Sequence, residues 1–167
     1  MAKVTFLGLG VMGFPMARHI AANGHEVTVY NRTTAKAEAW VAENGGQYAT
    51  SPAAGAAGAD IVLSCVGDDP DVVEVALGAD GAIPAMRKGA IYIDNSTVSA
   101  DVACQLAEAG AACGVGVLDA PVSGGQAGAE NGKLTVMVGG SEADFSAGLP
   151  IMTCYGARVV RMGEAGK

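Results

Sequence analysis

Large aromatic side chains are scarce in this sequence: three Phe, four Tyr and one Trp make up 5% of its 167 residues. Half of the residues are nonetheless hydrophobic, so Ala, Val and Gly must carry the packing. Small side chains suit close helix–sheet contact in an α/β protein better than a ligand-holding all-β barrel. Positive charge is scarce too. Ten Lys and Arg against 17 Asp and Glu leave a formal net charge of −7, which excludes broad binding to a phosphate backbone, since that needs a basic face. Nucleic acid is not an expected partner. No early apolar run reaches the roughly 18 residues that span a bilayer, and no membrane is expected either. The start, Met1-Ala2-Lys3-Val4, runs directly into a strand-like stretch with no leader or cleavage pattern; the expected compartment is the cytoplasm. Cys65, Cys104, Cys113 and Cys154 show no metal-ligand or redox spacing and are expected as reduced thiols. His19 and His25 have no partners suited to catalysis or metal binding and are expected at the surface near the first helix.

What is present is alternation. A chain of this length buries one good core, so one domain is expected. Val4–Leu7 is a short β-rich run, followed by a glycine turn and a helical stretch from Met12 to Asn23 with Gly24 as its stop. Glu26–Tyr30 is a second strand, and Thr33 or Thr34 can cap a helix that reaches about Glu43. Ile61–Cys65 and Ala90–Asp94 are apolar strands of the kind buried on both faces of a sheet. Ser99 caps a helix to about Ala112. Val115–Asp119 and Leu134–Val138 are further strands, Ser141 with Asp144 resembles a capping box, and Arg158–Arg161 closes the series as a short strand. Such alternation implies a Rossmann-type, doubly wound α/β fold, mostly parallel, with right-handed crossovers and helices on both faces. Trp40 is expected to pack its helix onto the sheet.

Gly8-Leu9-Gly10-Val11-Met12-Gly13 sits between the first strand and the first helix. Glycines at these three places permit a tight turn, close approach of backbone to a pyrophosphate and close helix–strand packing, while the helix N-terminus offers free N–H groups to the phosphates. A carboxylate roughly 20 residues further on would hold the ribose 2′-hydroxyl of NAD. That place holds Asn31-Arg32-Thr33, with Lys36 one helical turn later. No acid repels a 2′-phosphate and a guanidinium is present to pair with one. NADP(H) is favoured and NAD(H) stays open.

Gly8–Ala17, read as GLGVMGFPMA, resembles the opening signature of the β-hydroxyacid dehydrogenases, which include 3-hydroxyisobutyrate dehydrogenase and the glyoxylate, succinic semialdehyde and tartronate semialdehyde reductases. Asp94-Asn95-Ser96-Thr97 resembles that family's strand-end Asp-x-Ser/Thr-Thr. Asp119–Gly132, read as DAPVSGGQAGAENG, closely resembles its substrate loop. By that resemblance Val66, Gly67 and Asp68 form the loop running past the nicotinamide ribose, and Thr97 contacts the nicotinamide end. Ser123, Gly124 and Gly125 hold the substrate carboxylate and its neighbouring hydroxyl. The chemistry suits the role, because two glycine N–H groups and a serine hydroxyl make a small anion-binding concavity.

The family's proton-transferring lysine follows a GxxGxGxxxK pattern on a helix joining two domains. Gly163-Glu164-Ala165-Gly166-Lys167 matches only its beginning, which puts that lysine roughly five positions further on and leaves Lys167 in a variable place. The resemblance therefore implies a dinucleotide-binding domain over 1–163 and the start of an interdomain helix over 164–167. It implies reversible hydride transfer between a short β-hydroxyacid and its semialdehyde or oxoacid, with no catalytic group in this chain, and a homo-oligomer formed through a further helical domain. A non-catalytic dinucleotide sensor shares the fold, but has no reason to build a carboxylate site at Ser123–Gly125. A vestigial module would show a degraded glycine turn, and this one is intact.

Overall fold

The computed structural model describes residues 1–166; Lys167 lies outside the described residues. The chain alternates as β1 (Lys3–Leu7), α1 (Gly13–Ala22), β2 (Glu26–Tyr30), α2 (Thr34–Asn44), β3 (Gln47–Tyr48), α3 (Pro52–Ala56), β4 (Ile61–Ser64) and α4 (Asp69–Leu77). It continues as β5 (Ile91–Asp94), α5 (Ala100–Cys113), β6 (Gly116–Asp119), β7 (Val122–Ser123), α6 (Gly125–Glu130), β8 (Leu134–Gly139), α7 (Glu142–Met152) and β9 (Gly156–Gly163). The strands form one sheet in the order β3-β2-β1-β4-β5-β6-β8-β7, with β9 pairing β8. From β3 to β6 every pairing is parallel. The expected doubly wound, mostly parallel α/β architecture is present, and the order reverses between β1 and β4, where such sheets open a ligand crevice at their carboxyl ends.

Strand periodicity sorts the core into two layers. Phe6 and Val4 of β1 pack with Met16, Ala17 and Ile20 of α1 and with Trp40 of α2. Leu7, Val62 and Tyr92 face the other way, onto Val72 and Ala76 of α4 and Leu106 of α5. Trp40 packs as expected, fully buried, and its indole N–H donates to the Phe14 carbonyl at 3.2 Å.

The sheet is mostly and not wholly parallel, because β8 runs antiparallel to β6 and β7. The six-residue α6 rises only about 9 Å, too little to carry the chain back across the sheet for a parallel return. The last strand, β9, is twice the length read from sequence, Gly156–Gly163. Ser141 caps α7 by accepting the Asp144 N–H at 3.1 Å, but the Asp144 carboxylate packs over Gly116 instead of completing a capping box. The histidines are not idle surface groups. His19 Nε2 lies 2.9 Å from the Ala129 carbonyl and ties α1 to α6, and His25 Nδ1 accepts the Ala2 N–H at 3.0 Å. Among the described residues no helix is long and apolar enough to cross a membrane.

Candidate functional site

At the carboxyl end of β1 the three glycines of the first turn serve different masters. Gly8 has φ +99°, and a Cβ there would collide with the Cys65 carbonyl and stand 2.8 Å from Val66 Cγ1. A Cβ on Gly13 would collide with the Gly8 carbonyl. Both are glycines because the protein's own packing demands it. Gly10 differs: it is exposed, its φ lies outside the left-handed range, and a Cβ there would meet nothing within 4 Å. Its missing side chain opens space toward the groove. Helix α1 begins with no side-chain cap, and among the described residues the Gly10, Val11 and Met12 amides donate to no protein acceptor. Free amides, a helix N-terminus and an uncovered glycine fit a pyrophosphate.

These residues line a groove of about 790 Å³ together with Tyr30, Asn31, Arg32, Thr33, Cys65, Val66, Gly67 and three residues of α4. Asn31 braces the turn: its Oδ1 accepts the Leu9 N–H at 2.9 Å and its Nδ2 donates to the Thr33 carbonyl at 3.1 Å. Thr33 stands at the N-cap of α2 without a side-chain capping bond. The Arg32 side chain is 83% exposed, and its Nη2 lies 3.1 Å from Asp71 Oδ1 on α4. Lys36 is exposed on α2 outside the groove wall.

Beside the groove, the ends of β4, β5 and β6 are joined by buried polar groups. Ser64 Oγ donates to Asp94 Oδ1 at 2.9 Å, which also accepts the Ser96 N–H at 3.0 Å. Ser96 Oγ accepts the Val66 N–H at 2.9 Å, fixing the start of the loop that lines the groove. Asn95 Nδ2 donates to the Ala120 carbonyl at 2.9 Å, and its Oδ1 accepts the Tyr155 hydroxyl at 3.1 Å. Among the described residues Asp94 Oδ2 and the Tyr92 hydroxyl have no hydrogen-bond partner. Burial pushes the Asp94 carboxyl up to about 6, against the opposing pull of its Ser96 and Ser64 hydrogen bonds.

Ala120, so held, begins the loop carrying Ser123, Gly124 and Gly125. Ser123 pairs with Thr135 in the antiparallel β7–β8 ladder and is exposed. Gly124 (φ +131°) and Gly125 (φ +64°) turn the chain into α6, conformations that L side chains resist. At the other end of the chain, the Gly166 N–H donates to Asp119 Oδ1 at 3.0 Å, and residues 164–166 form a bend and turn. Burial raises the Asp119 carboxyl, partly offset by that bond.

The model of the NAD-binding domain of 6-phosphogluconate dehydrogenase matches residues 3–163. The chain belongs to this family of NAD-binding domains. An uncharacterized oxidoreductase of Shewanella frigidimarina is 52% identical over 166 residues, spanning 99% of this chain and 57% of its own length. A structure of Mycobacterium tuberculosis 3-hydroxyisobutyrate dehydrogenase with L-serine superposes with TM-score 0.93 at 31% identity, covering 99% of this chain and 56% of that one. Psf3 in complex with NADP+ and 2-OPP gives TM-score 0.92 at 30% identity, over 98% and 58%. The chain thus spans about half the length of the relatives it matches. Its cofactor class is a nicotinamide dinucleotide.

Of the residues read from sequence, this NAD-binding domain brings Gly8, Leu9, Gly10, Val11, Met12, Asn31, Arg32, Thr33, Val66 and Gly67 into one groove wall. Gly13 lies beneath the turn. Asp68 caps α4, accepting the Asp71 N–H at 3.4 Å. Thr97 and Ser123–Gly125 stand outside that wall; Thr97 is exposed beyond the end of β5. Asp71 and Tyr155 carry no signal in the sequence reading, and Asn95 and Ser96 enter it as part of a motif without a structural role. The polar triplet Asp94-Asn95-Ser96, directly after the apolar Ile91-Tyr92-Ile93, was the available signal that a buried network lay at that strand end.

Proposed function

We propose that this chain is the cofactor half of a 3-hydroxyisobutyrate dehydrogenase-type oxidoreductase that prefers NADP(H) and interconverts a short β-hydroxyacid with its semialdehyde or oxoacid. The observation that carries the reading is Gly10, a glycine that the protein's own packing does not require, set among free amides at the mouth of a dinucleotide-sized groove. When bound, the nicotinamide supplies hydride transfer. The chain's residues bind and orient it. The amides of Gly10, Val11 and Met12 hold the pyrophosphate, and Arg32, with Lys36 beyond it, faces the 2′-phosphate. Val66, Gly67 and Asp68 border the nicotinamide ribose, and Thr97 meets the nicotinamide end. Ser123, Gly124 and Gly125 take the substrate carboxylate, and the presence of L-serine, itself a β-hydroxyacid, with one relative is in keeping with that. In this reading the dinucleotide domain covers 1–163, the interdomain connection begins at 164, and the proton-transferring lysine belongs to chain outside these residues. Homo-oligomer formation belongs there too. The four free cysteines fit a reducing, cytoplasmic setting.

Calorimetric titration of the chain with NADPH and NADH tests the cofactor assignment. NADPH is expected to bind more tightly, by the roughly 1.5–3 kcal/mol of a charged guanidinium–phosphate pair less the cost of separating Arg32 from Asp71. Equal or reversed affinities overturn the preference. The same protein should reduce no NADP+ with 3-hydroxyisobutyrate, 4-hydroxybutyrate, L-serine or glycerate, because a positioned acid/base is worth roughly 10²–10⁴-fold. A chain of the relatives' full length should do so with at least one. If the longer chain binds cofactor and turns over none, a non-catalytic dinucleotide sensor replaces the proposal.

A further inference from the structure

Among the described residues Arg32 is the one cation in the groove wall, and it is paired. Its partner Asp71 is the third residue into α4, on the opposite rim, and lies 39 positions away in sequence. One oxygen of the Asp71 carboxylate lies 3.1 Å from Arg32 Nη2. The other lies in the space left open by Gly67, where a Cβ would stand 2.5 Å from it. The Asp71 N–H is donated to the Asp68 cap, and a carboxylate in the first turn of a helix is favoured by the free amides there. Glu74, one turn further along α4, lines the same groove. Among the described residues the groove wall therefore carries one positive charge and two negative ones.

We infer that Asp71 is a specificity-determining residue for the cofactor: it engages Arg32 across the groove and sets its own charge against a 2′-phosphate, so that discrimination belongs to the pair and not to Arg32 alone. The inference rests on the reading that Arg32 faces the ribose 2′ position. A dinucleotide without the 2′-phosphate leaves the ion pair standing. One with it must draw Arg32 away from Asp71 and place a near-dianion close to that carboxylate. Both costs fall on NADPH and neither on NADH. Because Arg32 is largely exposed, the pair is a solvent-screened one, and its effect is modest and salt-dependent.

The test is calorimetric titration of NADPH and NADH into wild type, Arg32→Ala, Asp71→Asn and the double variant, at low and high salt, with thermal melts confirming that each folds. Asp71→Asn keeps the shape and removes the charge. The ratio of the NADH to the NADPH dissociation constant should rise roughly three- to tenfold in this variant at low salt, through tighter NADPH binding, and the gain should shrink at high salt. In the Arg32→Ala background the same substitution should give a smaller gain, because only the direct repulsion is left to remove. An unchanged or lower ratio in Asp71→Asn, while Arg32→Ala still lowers it, overturns the inference and leaves the proposed function standing. A ratio indifferent to Arg32→Ala overturns the reading beneath it, and the inference with it.

Discussion

Gly10 offers the sharpest test, because its neighbour Gly8 provides the control. In Gly10→Val the new Cβ meets no protein atom within 4 Å, and the backbone there is accessible to L residues. The folded state should tolerate the change to within about 0.5 kcal/mol, as for other exposed sites. In Gly8→Ala the added methyl sits on a φ of +99° and overlaps the Cys65 carbonyl. A non-glycine residue in such a conformation costs about 1–3 kcal/mol before the overlap is counted, so this variant should lose at least about 2 kcal/mol of stability. Binding should rank differently. A branched side chain at Gly10 holds the pyrophosphate off the turn. Each amide–phosphate hydrogen bond contributes about 1.5–3 kcal/mol, so losing two weakens the complex by about 3–6 kcal/mol, or roughly 10²–10⁴-fold. Urea unfolding and NADPH titration read the two quantities separately. Wild-type affinity in Gly10→Val would show that the pyrophosphate does not lie on this turn. A Gly10→Val protein as unstable as Gly8→Ala would show that the fold itself demands the glycine, and the inference from open space would collapse.

Two further predictions concern the polar network at the strand ends. Burial raises Asp94 to about 6 from an ordinary 3.8, so between these values the folded protein holds a proton that the unfolded chain has released; stability must fall as pH rises from about 4 to 6 and level off above, by about 3 kcal/mol in all. Asp94→Asn should remove that slope, and the difference between the two proteins' urea midpoints across this range measures it; parallel curves would refute the assignment. Tyr155→Phe deletes the buried hydroxyl that satisfies Asn95 Oδ1 and should cost about 1–2 kcal/mol by the same measurement, with no shift in stability implying that Asn95 finds another donor.

The parts of the fold that were legible in sequence are those where a single segment carries its own signal. β1, β4 and β5 are apolar runs bounded by turn residues, and Ser99 and Ser141 do cap their helices through side-chain bonds to the third residue on. β3 is two residues, Gln47–Tyr48, both exposed, with no alternation to read. α3 and α6 are a turn or so of Ala and Gly, too short for a helical period to show. The direction of β8 depends on how far α6 can carry the chain, and no residue of β8 records that.

The site divides along the same line. The glycine turn, Asn31 and Arg32 are encoded by spacing within one βαβ unit, and they arrive in one wall. What Arg32 meets is not encoded there: Asp71 reaches it only because β1 separates β2 from β4 in the sheet, bringing the loops after β2 and β4 to the same crevice.

The polar triplet at the end of β5 shows what such convergence costs and supplies. Asp94 is 2% exposed with one oxygen unpartnered, a poor choice if the only aim were stability. Its effect is geometric. Through Ser96 it fixes Val66 and so the groove-lining loop after β4; through the adjacent Asn95 the same strand end fixes Ala120, the first residue of the loop that carries Ser123. The loops proposed for the cofactor and for the substrate are thus anchored to neighbouring residues at one strand end. Asp119, paired in register with Asp94, anchors Gly166 as well. Three segments far apart in sequence are set relative to one another by hydrogen bonds from adjacent strand ends. The proposed hydride transfer would need donor and acceptor held in near contact, and such anchoring suits that need where hydrophobic packing alone would be more stable.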